Sequence, residues 1–209
     1  MTSHQTTGDR APAAAGPRRP APERREEVTD TPVPPHPWRG TAAALAVTRL
    51  MTAAIFLWAF ADKAFGLGYA TPGERSWVNG GSPTGGYLSS VDVGPMAGVF
   101  NSWAGSTAVD VLFMGGLLAV GVALLAGVAL WPAALGGGLM MLMMWVAAWP
   151  PARELADGTP SMSTNPLVDH HLLYVAVLVV LAATAAGHHA GLGRRWEEAP
   201  LARRFPWLR

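Results

Sequence analysis

The chain contains no cysteine. It therefore carries no dithiol–disulfide couple, no thioether-attached haem and no cysteine-ligated iron–sulfur cluster of its own. Ionisable side chains are also absent from Val111 to Ala152. As one helix, that stretch would measure roughly 63 Å against a hydrocarbon layer of roughly 30 Å, so the chain has to turn back within it.

The composition is that of an integral membrane protein. Only 14% of the 209 residues are charged, and the mean hydropathy of +0.24 is too high for an ordinary soluble domain. Six arginines precede Thr41 and five follow Gly193. By the positive-inside rule, we expect a multi-pass protein of a bacterial-type plasma membrane with both termini in the cytoplasm. We expect the lipid bilayer, and no nucleic acid, among its partners.

Apolar runs and turn signals predict an all-α fold with four transmembrane helices. The first covers Thr41 to Lys63. The second and third lie near 109–130 and 133–149, with Trp131-Pro132 as the hairpin between them. The fourth follows Asn165-Pro166, where Asn is a suitable N-cap and Pro a suitable first helical residue.

Three further segments complete the predicted organisation. Residues 1–40 lack apolar periodicity and indicate a disordered cytoplasmic tail, while 194–209 indicate a basic cytoplasmic tail. The domain between them, 41–193, contains a connection of about forty residues between the first two helices, which is far longer than a typical loop. Its aromatic and glycine content predicts an ordered lid on the outer membrane interface, with a short helix at 95–104.

Polar side chains are few along the predicted helices. Arg49 either snorkels to the inner interface or finds a partner inside the protein. Four helices with both termini inside bring their outer ends together, and the polar residues at those ends are Asp62, Lys63, Asp110, Asp169 and His170. Such a cluster suits proton relay, metal coordination or binding of a polar head group, and spacing alone leaves these open. We predict no closed site with two histidine ligands, because adjacent histidines point in different directions on a helix.

Three stretches resemble the DoxX/DoxD family of four-helix membrane proteins. They are the run from Arg49 to FADKAFG, the loop sequence SWVNGGSPTGGYL, and NPLVDHHLLY at the fourth helix. The resemblance covers roughly Thr41 to Gly193. The chain departs from the acid–acid–His run of this subgroup, as in NPLVDDH, by carrying the adjacent histidines His170 and His171 and one carboxylate fewer.

The resemblance implies redox or sulfur chemistry at the outer face. In well-known members, the DoxD-like subunit works with a second subunit as a membrane thiosulfate:quinone oxidoreductase, and quinone is the cofactor expected here. Other members are membrane partners of soluble redox or sulfur-transfer enzymes. The alternative function is thus a non-catalytic scaffold that recruits such enzymes through its cytoplasmic tails. A solute transporter is a third hypothesis, weakened by the little room for a pathway in four closely packed helices.

The quinone-linked hypothesis assigns roles to particular residues. Asp169 and His170 are the candidate catalytic residues that deliver protons, and Lys63 is the candidate that stabilises an anionic intermediate. The candidate substrate-binding residues are Arg49, Asp62, Trp77, Asn79, Asp110 and Tyr174. Whether this chain is itself the enzyme stays open at this point.

Overall fold

The structure is a computed structural model and describes residues 1–3 and 38–208. The predicted disordered tail over residues 1–40 falls almost entirely outside the described residues. The part that is described is helical and contains no β-strand. Its four helices of fourteen residues or more are α1 (Trp38–Phe65), α2 (Thr107–Ala126), α3 (Leu130–Ala148) and α4 (His170–Ala183). The shorter helical segments are Gly73–Arg75, Trp77–Asn79, Gly85–Ser89, Ala97–Trp103, Ala186–His188, Gly193–Glu198, Pro200–Arg204 and Pro206–Leu208.

Three of the described helices, α1, α2 and α3, are long and apolar enough to cross a membrane. The prediction of an all-α membrane protein is therefore confirmed. The fourth helix is present and apolar but has only 14 residues. At about 1.5 Å per residue it measures roughly 21 Å, which is shorter than a hydrocarbon layer of about 30 Å.

The long helices pack in the order in which they follow one another. The α1 helix packs on α2, α2 on α3, and α3 on α4. The α1 and α2 helices approach each other closely at Gly121. A Cβ atom at that position would lie 2.7 Å from the side chain of Leu57, so the contact requires glycine. Large apolar side chains are exposed along these helices, as expected of lipid-facing surfaces; they include Met51, Ile55, Leu112, Leu125, Leu135, Leu139 and Leu173.

The helices begin and end at different residues from those predicted. The turn between α2 and α3 is made by Gly127–Ala129, not by Trp131-Pro132. Gly127 adopts the left-handed conformation with φ of 71° that ends α2. Pro132 lies instead in the first turn of α3, where its missing N–H leaves no hydrogen bond broken.

The predicted start of the fourth helix is also wrong. Asp169 rather than Asn165 is the N-cap of α4, since its carboxylate accepts hydrogen bonds from the N–H groups of His171 and Leu172. Asn165 caps a separate turn, accepting from Leu167 and Val168. A carboxylate at the N-cap satisfies two orphan N–H groups and meets the positive end of the helix dipole, so it begins the helix here.

The connection between α1 and α2, residues 66–106, is folded and tied to both helices. Asp62, near the end of α1, accepts hydrogen bonds from the N–H groups of Tyr69 and Ala70 at 3.2 and 3.0 Å. Asp110, in the first turn of α2, accepts from the N–H and the hydroxyl of Thr84 at 3.0 and 2.6 Å. A short helix occurs at Ala97–Trp103, as predicted for 95–104.

Because consecutive long helices run in opposite directions, the molecule has two distinct ends. We call the end that carries residues 66–106 the loop end; the C-terminus of α1 and the N-termini of α2 and α4 meet there. We call the opposite end the tail end, where the C-termini of α2 and α4 meet the C-terminal segment, residues 193–208. Leu192, immediately before that segment, donates its N–H to the Ala126 carbonyl at 2.8 Å, and Ala202 within the segment is fully buried.

Candidate functional site

A cavity of about 200 Å³ lies at the loop end, and all four long helices contribute to its walls. Seven of its eleven lining residues belong to α1 and α4. Its walls are mostly aliphatic, aromatic and methionine side chains, and its polar groups are concentrated towards the loop end. The lining residues are Ile55, Phe56, Ala59, Lys63, Phe113, Leu117, Met141, Met144, His170, His171 and Tyr174.

His171 and Asp169 form the best-defined polar contact in the cavity wall. His171 is 5% exposed, and its Nδ1 lies 2.6 Å from the Oδ2 atom of Asp169. The same carboxylate accepts the backbone N–H groups of His171 and Leu172 at 3.0 and 3.3 Å. The contact fixes the imidazole with Nδ1–H donating to the carboxylate, so Nε2 is the nitrogen left to the cavity. Within residues 38–208 the structure gives Nε2 no hydrogen bond.

Opposing effects act on the pKa of Asp169. Burial raises this pKa. It is lowered by a larger amount by the hydrogen bonds from the His171 side chain and from backbone N–H groups, together with the charge of His171. The pKa therefore lies below its ordinary value, and the carboxylate is ionised near neutral pH. Burial raises the pKa of the Tyr87 hydroxyl, and the negative charge of Asp169 raises it further.

His170 and Tyr174 occupy the more exposed part of the site. The His170 ring lies on the His171 ring, with centroids 4.0 Å apart and planes at 35°, and it meets Tyr174 edge-on at 6.5 Å. The prediction that the two histidines point apart is therefore wrong. Both belong to the first turn of α4, where long side chains lean back toward the N-terminus.

Lys63 brings a positive charge to the same cavity. It lies in the last turn of α1 and lines the cavity with the two histidines. Among the residues that the structure describes, its ammonium group has no ion pair or hydrogen bond. It is therefore available to a ligand in the cavity.

One metal-ligating group is found in the described residues. Asp169, His170 and His171 each offer a ligand atom, and these atoms lie within 4.8 Å of one another. The Nδ1 atom of His171 is already hydrogen-bonded to the Asp169 carboxylate. A metal would have to replace that hydrogen bond or use Nε2, with the carboxylate then orienting the imidazole from behind.

The structure brings together only some of the predicted site residues. The cavity is lined by Lys63, His170 and Tyr174. Asp169 hydrogen-bonds to His171 in its wall. Asp62 and Asp110 are nearby but buried, and their carboxylates are engaged by residues 69–70 and 84.

The two predicted lid residues also lie outside the cavity lining. Trp77 packs against the hydrophobic core. Asn79 donates from its side-chain amide to the Gly73 carbonyl at 2.8 Å. Both residues therefore help to fold the connection between α1 and α2, as the carboxylates of Asp62 and Asp110 do.

Arg49 lies in the first half of α1, at the level of the end of α2, and is fully buried. Its Nη1 donates to the carbonyls of Leu124 and Leu125, and its Nη2 donates to those of His189 and Ala190. Of the two outcomes predicted for Arg49, the structure has the partner inside the protein. The structure does not bring Arg49 to the loop-end cavity.

Sequence reasoning missed the importance of His171. The sequence-based hypothesis chose His170 and not His171 as the candidate catalytic histidine. His171 lies seven residues before the fully buried Leu178, and that spacing of about two turns was the signal that would have identified it as inward-facing.

Comparisons with protein-family models, with curated proteins and with solved structures give no match. The function is therefore inferred from the cavity and its residues.

Proposed function

We propose that this chain is a DoxX-like, quinone-linked redox subunit whose quinone ring binds in the loop-end cavity. The observation that carries the proposal is an apolar cavity with an ammonium group, two imidazoles and a phenol concentrated at one end. A quinone likewise has a polar part, its ring oxygens, and an apolar part, its ring face and isoprenoid chain.

The size and position of the cavity support this ligand class. Its volume of about 200 Å³ is below the roughly 300 Å³ at which pockets for whole drug-sized ligands begin. A single ring therefore fits better than a complete lipid. Ile55, at the edge of the cavity, is 45% exposed, so the isoprenoid chain has a way out to the bilayer between α1 and α4.

The polar groups match what quinone reduction requires. A quinone becomes a quinol by taking up two electrons and two protons. His171, held by Asp169, presents Nε2 to the cavity, and a protonated imidazole there donates its proton to a quinone oxygen. Lys63 stabilises the negative charge that forms on the ring oxygen when electrons arrive before protons.

The electrons for quinone reduction come from a donor outside this chain. By the family resemblance the donor is thiosulfate: two thiosulfate ions joined through sulfur release two electrons, which reduce one quinone. A second redox subunit then delivers them. The role given to His170 in the sequence-based hypothesis passes to His171, and His170 becomes the exposed group through which protons reach the site.

The proposal includes a membrane orientation. The tail end carries the arginines at positions 194, 195, 203 and 204, so the positive-inside rule puts it in the cytoplasm and the loop end at the outer face. The short helix α4 completes a four-helix transmembrane bundle, with residues 66–106 lying over it at the outer interface.

The test is the quinone content of protein purified in mild detergent, extracted and compared with an unrelated four-helix membrane protein. Ala59→Phe, which fills the cavity, and His171→Ala should each lower bound quinone about tenfold, the loss that ~1.4 kcal/mol produces. Ala54→Phe is the matched control, because Ala54 is exposed on the same helix and does not line the cavity. Quinone no higher than in the unrelated protein, or equal loss in both phenylalanine variants, would reject the proposal and favour the scaffold alternative.

A further inference from the structure

A second and larger cavity lies at the tail end. Its volume is about 690 Å³, within the range of pockets that hold lipophilic molecules. The walls come from the start of α3, the end of α4 and the C-terminal segment, and they include Trp131, Trp196 and Trp207. None of the residues that line the loop-end cavity line this one.

The wall formed by the C-terminal segment is held by specific contacts. Trp196 donates from its indole N–H to the Leu208 carbonyl at 2.7 Å, which closes the segment on itself. Glu197 reaches back to His188, with Oε1 and Nε2 2.8 Å apart. The cavity is therefore part of the fold and not a gap beside a loose tail.

One side of the cavity meets the lipid-facing surface. Leu135, on the spanning helix α3, lines the cavity and is 76% exposed. Trp131, one turn earlier on α3, and Ala183, at the end of α4, are also exposed cavity residues. A hydrocarbon chain can thus enter from the bilayer without crossing a polar surface.

The C-terminal segment also provides a concentration of positive charge. Its four described arginines, at positions 194, 195, 203 and 204, are all exposed. The segment carries two carboxylates, Glu197 and Glu198, and the first of these is engaged by His188. The segment therefore presents a net positive surface beside an apolar cavity, at the level of the membrane where Trp and Arg commonly anchor.

We propose that the tail-end cavity binds an anionic phospholipid, with an acyl chain among the tryptophans and the phosphate near the exposed arginines of the C-terminal segment. An acyl chain matches the apolar walls and the opening at Leu135. A negatively charged head group matches the arginines, each of which attracts anionic lipid at a membrane surface. A zwitterionic lipid satisfies only the first requirement.

The test is native mass spectrometry of the full chain released from bilayers of phosphatidylglycerol or phosphatidylcholine with identical acyl chains. The wild type should retain phosphatidylglycerol preferentially. Ala183→Trp fills the cavity and should abolish retention. Ala176→Trp is the matched control, because it is exposed two turns earlier on the same face of α4 and lies outside the cavity.

The double variant Arg203→Gln/Arg204→Gln tests the charge separately, with exposed substitutions that leave the fold intact. It should lower the preference for phosphatidylglycerol about fivefold for each arginine removed. Equal retention of the two lipids by the wild type, equal loss in both tryptophan variants, or recovery of quinone in place of phospholipid would each overturn the proposal.

Discussion

Replacing Arg49 by methionine tests the most unusual buried group in the molecule. Four carbonyls surround its guanidinium, two near the end of α2 and two after α4. The Leu124 carbonyl also accepts the N–H of Gly127. The other three carbonyls belong to the last turn of α2 or to the chain after α4, where no continuing helix supplies a donor. A methionine keeps the apolar stem of the side chain but donates no hydrogen bond, so all four carbonyls lose this donor.

The expected loss of stability follows from the number of hydrogen bonds. At roughly 0.6 kcal/mol each, the mean for contacts between membrane helices, four bonds contribute about 2.5 kcal/mol. Hydrogen bonds to charged groups contribute more, about 1.5–3 kcal/mol each, but removing the guanidinium also removes the penalty of burying a charge. We therefore expect Arg49→Met to lower the free energy of unfolding by about 2–4 kcal/mol. The free energy of unfolding of Arg49→Lys should lie between those of the wild type and Arg49→Met, since an ammonium group keeps the charge but has fewer, less extended donors.

Unfolding of the purified protein in mild detergent, by heating and by titration with a denaturing detergent, measures this effect. Arg153→Met is the matched control: this arginine is exposed in the connection before α4, so its loss should change stability by no more than about 0.5 kcal/mol. A stable Arg49→Met protein would refute the structural role of Arg49.

Three further predictions follow from the close contacts at both ends. Gly187→Ala should unfold the tail end, because its new Cβ would lie 2.0 Å from a carbonyl oxygen, whereas Gly136→Ala, with nothing within 4 Å, should stabilise α3 by up to about 1 kcal/mol; thermal unfolding separates the two. Thr84→Val should loosen residues 66–106 by removing the hydroxyl hydrogen bond to buried Asp110, which then keeps only the backbone N–H of residue 84; faster proteolysis there measures this, and unchanged proteolysis would contradict the contact. Because the folded-state pKa of Asp169 lies below 3.8, its stabilisation is present above that pH and lost as pH falls through the folded value; Asp169→Asn should show a shallower acid-induced loss of stability, and equal pH profiles would contradict this.

The overall helical organisation could be predicted from the sequence because it depends on local properties. Uninterrupted apolar length indicated the three helices that can span a membrane, and the absence of ionisable residues from 111 to 152 required a turn. The position of that turn was predicted three residues late. Pro132 is compatible both with a turn and with the first turn of a helix, and only packing at Gly127 decides between them.

The site was predicted less well because it depends on which neighbour each charge contacts. A sequence gives no sign that Asp62 meets residues 69–70 while Lys63, one position later, has no partner among the described residues. The role of Arg49 was likewise hidden, since its four carbonyls belong to residues at least 75 positions away. Every residue has a backbone carbonyl, so a sequence does not indicate which carbonyls accept hydrogen bonds from an arginine.

Helix polarity accounts for several of the charges at the two ends of the molecule. The N-termini of α2 and α4 expose N–H groups at the loop end, and Asp110 and Asp169 lie at those N-termini. The C-terminus of α2 exposes carbonyls at the tail end, and Arg49 donates to them. Lys63 meets the negative end of the α1 dipole, but neither its ammonium group nor the cavity-facing Nε2 of His171 has a hydrogen-bond partner among the described residues. Since an ionisable group near a membrane is unfavourable without a partner, these two are the groups whose presence a ligand best explains.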